Sequence, residues 1–115
     1  MDIEQLRAIC NKLPHVTEDI KWGNDLCFCI GAKMFCVTRL ADQPTSASFK
    51  VTDNDFDEII DREGFAPAPY LARHKWVLAD DLNRMTANEW ERYIAQSYNL
   101  VSSKLPAKIK KELGL

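Results

Sequence analysis

Leu26-Cys27-Phe28-Cys29-Ile30-Gly31-Ala32-Lys33-Met34-Phe35-Cys36-Val37-Thr38 decides the fold. Two apolar runs flank a Gly-Ala pair, the pattern of a β-hairpin closed by a two-residue turn. Such a turn sets Cys27 opposite Cys36, Phe28 opposite Phe35 and Cys29 opposite Met34. Side chains alternate along a strand. One face then carries Leu26, Phe28, Ile30, Phe35 and Val37, and the other Cys27, Cys29, Met34 and Cys36. Both faces are apolar, so a helix is expected to cover one of them.

Further strands and helices extend outward from this hairpin. Thr17–Trp22 reads as a short polar strand, turned at Gly23-Asn24. Asp42-Gln43-Pro44-Thr45 is a loop, Ala47–Val51 a strand, and a last strand lies near Lys75–Ala79. Asp2 caps a first helix with Gln5 three residues on, and Ile3, Leu6, Cys10 and Leu13 form its apolar stripe until Pro14 ends it. Thr52 or Asp53 starts a second helix, with Phe56, Ile59 and Ile60 inward and Gly64 as its stop. Thr86-Ala87-Asn88-Glu89 is a capping box opening a long helix whose buried side is Trp90, Ile94, Ser97, Tyr98, Val101 and Leu105. Pro106 breaks that helix, and Lys108–Leu113 forms a final short one. The order α-β-β-β-β-α-β-α gives one antiparallel sheet with helices on a face, an α+β domain spanning residues 1–115.

Apolar residues make up 46% of the chain and charged residues 28%, values of an ordinary globular protein. No apolar run approaches the roughly 20 residues of a membrane span. Met1-Asp2-Ile3-Glu4 is acidic, unlike the basic start of a signal peptide. The expectation is a cytoplasmic monomer, with no membrane contact and four reduced cysteines. Net charge is −2, but Lys21, Lys33, Arg39 and Lys50 outweigh the acids of 21–51, while 52–64 is strongly acidic and 104–112 basic. Any contact with a polyanion must come from one local surface.

Several segments resemble the MmcQ/YjbR family of the CyaY-like superfamily: Leu13–Gly23, Phe28–Phe35, Ser48–Val51, Pro67-Ala68-Pro69-Tyr70-Leu71, Lys75-Trp76-Val77, Ser97-Tyr98 and Lys104-Leu105-Pro106. The resemblance runs in order along essentially the whole chain. It implies a terminal helix, a twisted antiparallel sheet with helices on one side, and DNA binding through a double wing of two hairpins.

The DNA-binding candidates are Lys21, Trp22, Lys33, Lys50, Arg73, His74, Lys75 and Trp76. Cations would neutralise phosphates and an exposed indole would stack on a base, giving weak, mostly sequence-independent contact. The competing reading packs both tryptophans in the core or at its rim. Likewise, Pro67–Tyr70 is either an interaction loop or a loop held down by Tyr70 and Leu71. A small-molecule or protein-interaction module is the alternative function, and metal handling the third. For the metal reading, Cys27, Cys29, Cys36 and Met34 offer soft ligands, but C-x-C is not a zinc knuckle and a packed thiol face is the default. The superfamily's frataxin-like members bind iron on an acidic first helix, where this chain has only Asp2 and Glu4. Asp53, Asp57 and Asp61 share a face of the second helix and read as solvated, with Glu58 and Arg62 spaced to pair. His15 and His74 are the sole near-neutral bases, Ser97-Tyr98 reads as a satisfied buried pair, and no glycine-rich phosphate loop exists. The expectation is no enzyme, no cofactor and no bound metal.

Overall fold

A computed structural model describes all residues, 1–115. Helix α1 (Ile3–Asn11) leads into strands β1 (Thr17–Lys21), β2 (Asp25–Ile30), β3 (Lys33–Arg39) and β4 (Ser46–Lys50). Helix α2 (Asp53–Ile59), the short strand β5 (Phe65–Pro67), strand β6 (Trp76–Ala79), and helices α3 (Ala87–Ser102) and α4 (Ala107–Leu113) follow. The six strands form one sheet in the order β1-β2-β3-β4-β6-β5, every neighbouring pair antiparallel. The expected α+β architecture is the observed one.

Local chemistry starts the helices where the sequence marks them. Asp2 and Gln5 close one capping box on α1, and Thr86 and Glu89 another on α3. Helix α2 is shorter than expected. It stops at Ile59 rather than Gly64, and Arg62 reaches across to Glu89 at 3.1 Å instead of pairing with Glu58.

Helices α1 and α3 lie on the same face of the sheet. That face buries Phe28, Ile30, Phe35, Phe49 and Val77 against Leu6, Trp90, Ile94 and Tyr98. Phe35 meets Tyr98 edge-on at 5.5 Å, and Phe49 meets Trp90 at 5.4 Å, the offset geometry that aromatic quadrupoles favour. The Trp90 indole N–H donates to the Leu82 carbonyl at 2.7 Å. Ser97 and Tyr98 are satisfied separately, each by backbone. Ser97 Oγ donates to the Phe35 carbonyl and accepts from the Lys50 N–H, and the Tyr98 hydroxyl donates to the Pro14 carbonyl.

Two features depart from the alternating hairpin and the five-strand order. First, the β2–β3 register shifts: Cys29 faces Met34, but Phe28 faces Cys36 and Cys27 faces Val37. Phe35 is the extra residue of a bulge, so Phe35 and Cys36 both turn to the helix-covered face and Val37 to the other. The expected thiol trio is thereby split, with Cys36 buried beside Cys10 in the helix-covered core. Second, Phe65–Pro67 pairs with β6 as an edge strand. Pro67 reads as loop in sequence because proline cannot donate to a ladder, but an outer edge tolerates it.

Candidate functional site

The sheet face away from the helices is only partly covered. Cys27, Cys29, Val37 and Trp76 pack there with Ala68 of the β5–β6 loop. Beside this small cluster runs a groove of about 540 Å³, floored by Met34, Val37 and Leu78 and walled by Leu71. Trp22 stands on one rim and Tyr70 on the other. Trp22 is 71% exposed and Tyr70 100%, so neither ring is core packing. Both hold left-handed backbone, Trp22 at φ 51° and Tyr70 at φ 65°. For bulky residues that conformation is an outlier costing on the order of 1 kcal/mol or more, and such strain collects at functional sites. Trp22 acquires it from a three-residue reversal, because Lys21 pairs directly with Asp25 across Trp22-Gly23-Asn24.

Three polar side chains also line the groove: Asp25, Arg39 and Ser48. Arg39 lies 4.0 Å from Asp42, too far for a tight pair, and Asp25 is in no ion pair. A second depression, of about 620 Å³, lies between α1 and β1. Its one cation is already engaged: Arg7 bonds Glu18 at 2.8 Å and Glu4 at 3.0 Å, and only Asp19 is left unpaired.

The two thiols beneath the open face are chemically quiet. Burial, reinforced by Cys29, pushes the Cys27 thiol up to about 11, and burial raises Cys29 as well. At neutral pH neither supplies the thiolate that metal binding or nucleophilic attack requires. No group of three or more His, Cys, Asp or Glu is placed to hold a metal ion.

The eight sequence candidates do not share one sheet face. Trp76 is buried at 5% exposure and cannot stack on a base. Lys33 pairs with Ile30, on the side the helices cover. The Lys75 ammonium lies over the Phe56 ring of α2 at 4.9 Å. Lys21 and Trp22 sit at the β1–β2 turn, the opposite end of the sheet from Lys33, Lys50, Arg73, His74 and Lys75.

Those last five gather instead at the hairpin-tip end. Lys50 pairs with Trp76, and its ammonium donates to the His74 carbonyl. Burial and then the nearby Lys104 ammonium pull the Lys50 pKa down. The β2–β3 tip turns through Gly31 (φ 56°) and Ala32 (φ 67°), and helix α4 sits against it. A Cβ on Gly31 would lie 3.0 Å from both Ile109 and Leu105, so a larger residue at this left-handed position would have to push the tip and these side chains apart. This contact brings Lys104 and the α4 lysines, Lys108, Lys110 and Lys111, to the same end. Sequence reading noted their charge but missed their place, because the Gly31–Ile109 contact joins segments far apart in the chain. Of the two readings of Pro67–Tyr70, the exposed Tyr70 ring excludes a loop held down by Tyr70. Asp25, Arg39 and Ser48 carry no signal as site residues, since nothing in a local pattern marks a groove wall.

The YjbR family model matches residues 11–100. The chain belongs to the YjbR family. A crystal structure of a Deinococcus radiodurans protein with the family-model domain DUF419 is similar at 27% identity and a TM-score of 0.87, over 98% of this chain and 88% of that one. A Pseudomonas syringae protein of known structure shares the fold at 19% identity and a TM-score of 0.72, over 87% of this chain and 98% of that one. No curated protein matches the chain. The YjbR match covers all six strands and the groove, but of the basic end only Lys33, Lys50, Arg73, His74 and Lys75, leaving out Lys104 and α4. No helix of this YjbR-family chain is long and apolar enough to cross a membrane.

Proposed function

We propose that this chain is a non-catalytic DNA-binding protein that grips the phosphate backbone, weakly and mostly without sequence preference, with its hairpin-tip end. The observation that carries the reading is a sorting of charge. Arg7, Lys12, Arg62 and Arg84 are ion-paired and lie elsewhere in the fold, Arg39 is only loosely placed by Asp42, and of the other cations only Lys21 and Arg92 lie away from the tip. Lys33, Lys50, Arg73, Lys75, Lys104, Lys108, Lys110 and Lys111 are at or beside the tip, and none has a carboxylate within ion-pair distance. A chain of net charge −2 has acids enough to pair them, yet Glu112 on the same helix and Asp53 near Lys50 form no ion pair with any of them. Unpaired like charges repel, and a polyanion relieves that repulsion while releasing its counterions.

The β2–β3 and β5–β6 connections lie at this same end of the sheet and supply Lys33 and Arg73. This arrangement is what the double-wing description of the family would use. The test is fluorescence anisotropy of labelled duplex and single-stranded DNA at about 50 and 200 mM salt. Micromolar binding that weakens steeply at the higher salt is expected. No binding at the lower salt would overturn the reading.

A further inference from the structure

We infer that the open-face groove is a binding site for a small planar heteroaromatic molecule, one whose ring edge both donates and accepts hydrogen bonds, as a purine base does. Two large aromatic side chains, Trp22 and Tyr70, face solvent at the rims of one groove, and neither forms an aromatic pair within the protein. Both are held in left-handed backbone, so the fold keeps them outward against local preference. A volume of about 540 Å³ lies in the range of small-ligand pockets and exceeds what one heterocycle needs.

The ligand class follows from the lining. Met34, Val37 and Leu78 offer an apolar floor for a ring face. Arg39 offers donors, the Asp25 carboxylate offers acceptors, and the Ser48 hydroxyl offers both. An aliphatic ligand would leave these groups unmet. A strong anion would meet Asp25, and a strong cation Arg39. A neutral ring with a mixed edge satisfies all three.

The test uses the intact chain and adenine as the probe, with ribose, toluene and a short deoxyadenosine oligonucleotide as comparison arms. Trp22 is the exposed indole, while Trp76 and Trp90 are buried, so quenching of tryptophan fluorescence reports on the rim. Amide NMR shifts of Val37, Ser48 and Leu78 report on the floor. Adenine is expected to quench saturably and to shift the floor amides, equally at low and high salt because it carries no charge. Tyr70→Ala should weaken it about tenfold, as loss of one stacking partner does. Ser48→Ala should narrow the preference for adenine over toluene and leave toluene binding unchanged.

Absence of floor shifts up to the solubility limit of adenine would overturn the site. Toluene binding as tightly as adenine would overturn the edge recognition. Shifts with the oligonucleotide but not with adenine would overturn the free-ligand site and transfer the groove to strand binding. Tyr70 contributes no buried area, so a loss of binding in Tyr70→Ala with an unchanged melting curve cannot be misfolding. Failure here leaves the salt-dependent reading of the basic end untouched, and the reverse also holds.

Discussion

The groove and the hairpin-tip end share one loop, residues 68–75, and are otherwise built from opposite materials. The groove exposes aromatic area over an apolar floor and has three polar side chains of mixed sign. The tip end has a crowd of cations without carboxylate partners, close enough that Lys104 perturbs Lys50. One surface would recognise a shape and an edge, the other a charge density. Their polar groups stand at opposite ends of the strands: Asp25 and Arg39 close one end, Ile30 and Lys33 the other.

The largest effect should separate the two by charge alone. With about three phosphates neutralised, raising salt from about 50 to 200 mM should weaken DNA binding roughly 40-fold. The double substitution Lys104→Glu with Lys108→Glu should weaken it by a similar or greater factor at the lower salt, measured by anisotropy. Both side chains are exposed, so the fold should tolerate the change. Adenine binding in the groove should not respond to either. If both ligands weaken together, the two regions are one site.

A smaller effect comes from the joint beneath the tip. Ser97 of α3 ties β3 to β4, bonding the Phe35 carbonyl at 2.5 Å and the Lys50 N–H at 3.0 Å. It is fully buried. Ser97→Ala would leave a buried acceptor and a backbone donor without that partner, a cost of about 2 kcal/mol in urea unfolding. Since the Lys50 backbone is held there, DNA affinity should fall further than adenine affinity. A change below about 0.5 kcal/mol would show that water replaces the hydroxyl.

These contrasts also show what the sequence could disclose. The two capping boxes, the Gly-Ala hairpin turn and the apolar stripe of α3 were legible because each is local, set within a few residues by hydrogen bonding or periodicity. The Phe35 bulge was not, since alternation is unbroken through Val37 and only packing against Tyr98 favours turning two successive side chains inward. Which face the helices cover is not legible either, so the pattern cannot say that Lys33 lies on the helix-covered side with Ile30. Trp22 and Trp76 look alike in sequence, both following a lysine. One sits in a tight turn and is exposed, while the other pairs within a strand and is buried. A groove is a relation between distant segments, so its polar wall residues had no local signature.

Alkaline pH should pull the two regions apart in a third way. The Cys27 thiol beneath the groove is raised to about 11, chiefly by burial, against about 8.5 in an unfolded chain. The unfolded chain therefore loses this proton first. The thiol's contribution is fully present below about pH 8.5 and is lost as pH rises toward 11. Lys50 shifts the other way, its pKa lowered by burial and Lys104, so its charge fades earlier than that of an ordinary lysine. The melting temperature should decline above about pH 8.5, and Cys27→Val should flatten part of that decline. DNA binding should fade over the same range, with no help from the substitution.

The smallest effect is the sharpest test of why the rim is built as it is. Trp22 occupies left-handed backbone at φ 51° with most of its surface in water, an arrangement that contributes little to the core. Glycine adopts that conformation without steric cost. Relief of the strain should outweigh the extra entropy glycine gives the unfolded chain and the little packing lost. Trp22→Gly is expected to stabilise the fold by about 0.5–1 kcal/mol, or a few degrees in melting temperature. It should at the same time remove most adenine binding and leave DNA binding at the tip unchanged. A gain in stability coupled to loss of one ligand would mean that the indole is retained for contact rather than for folding. A loss of stability would mean that Trp22 braces the β1–β2 turn, and the groove would then have one functional rim, Tyr70, instead of two.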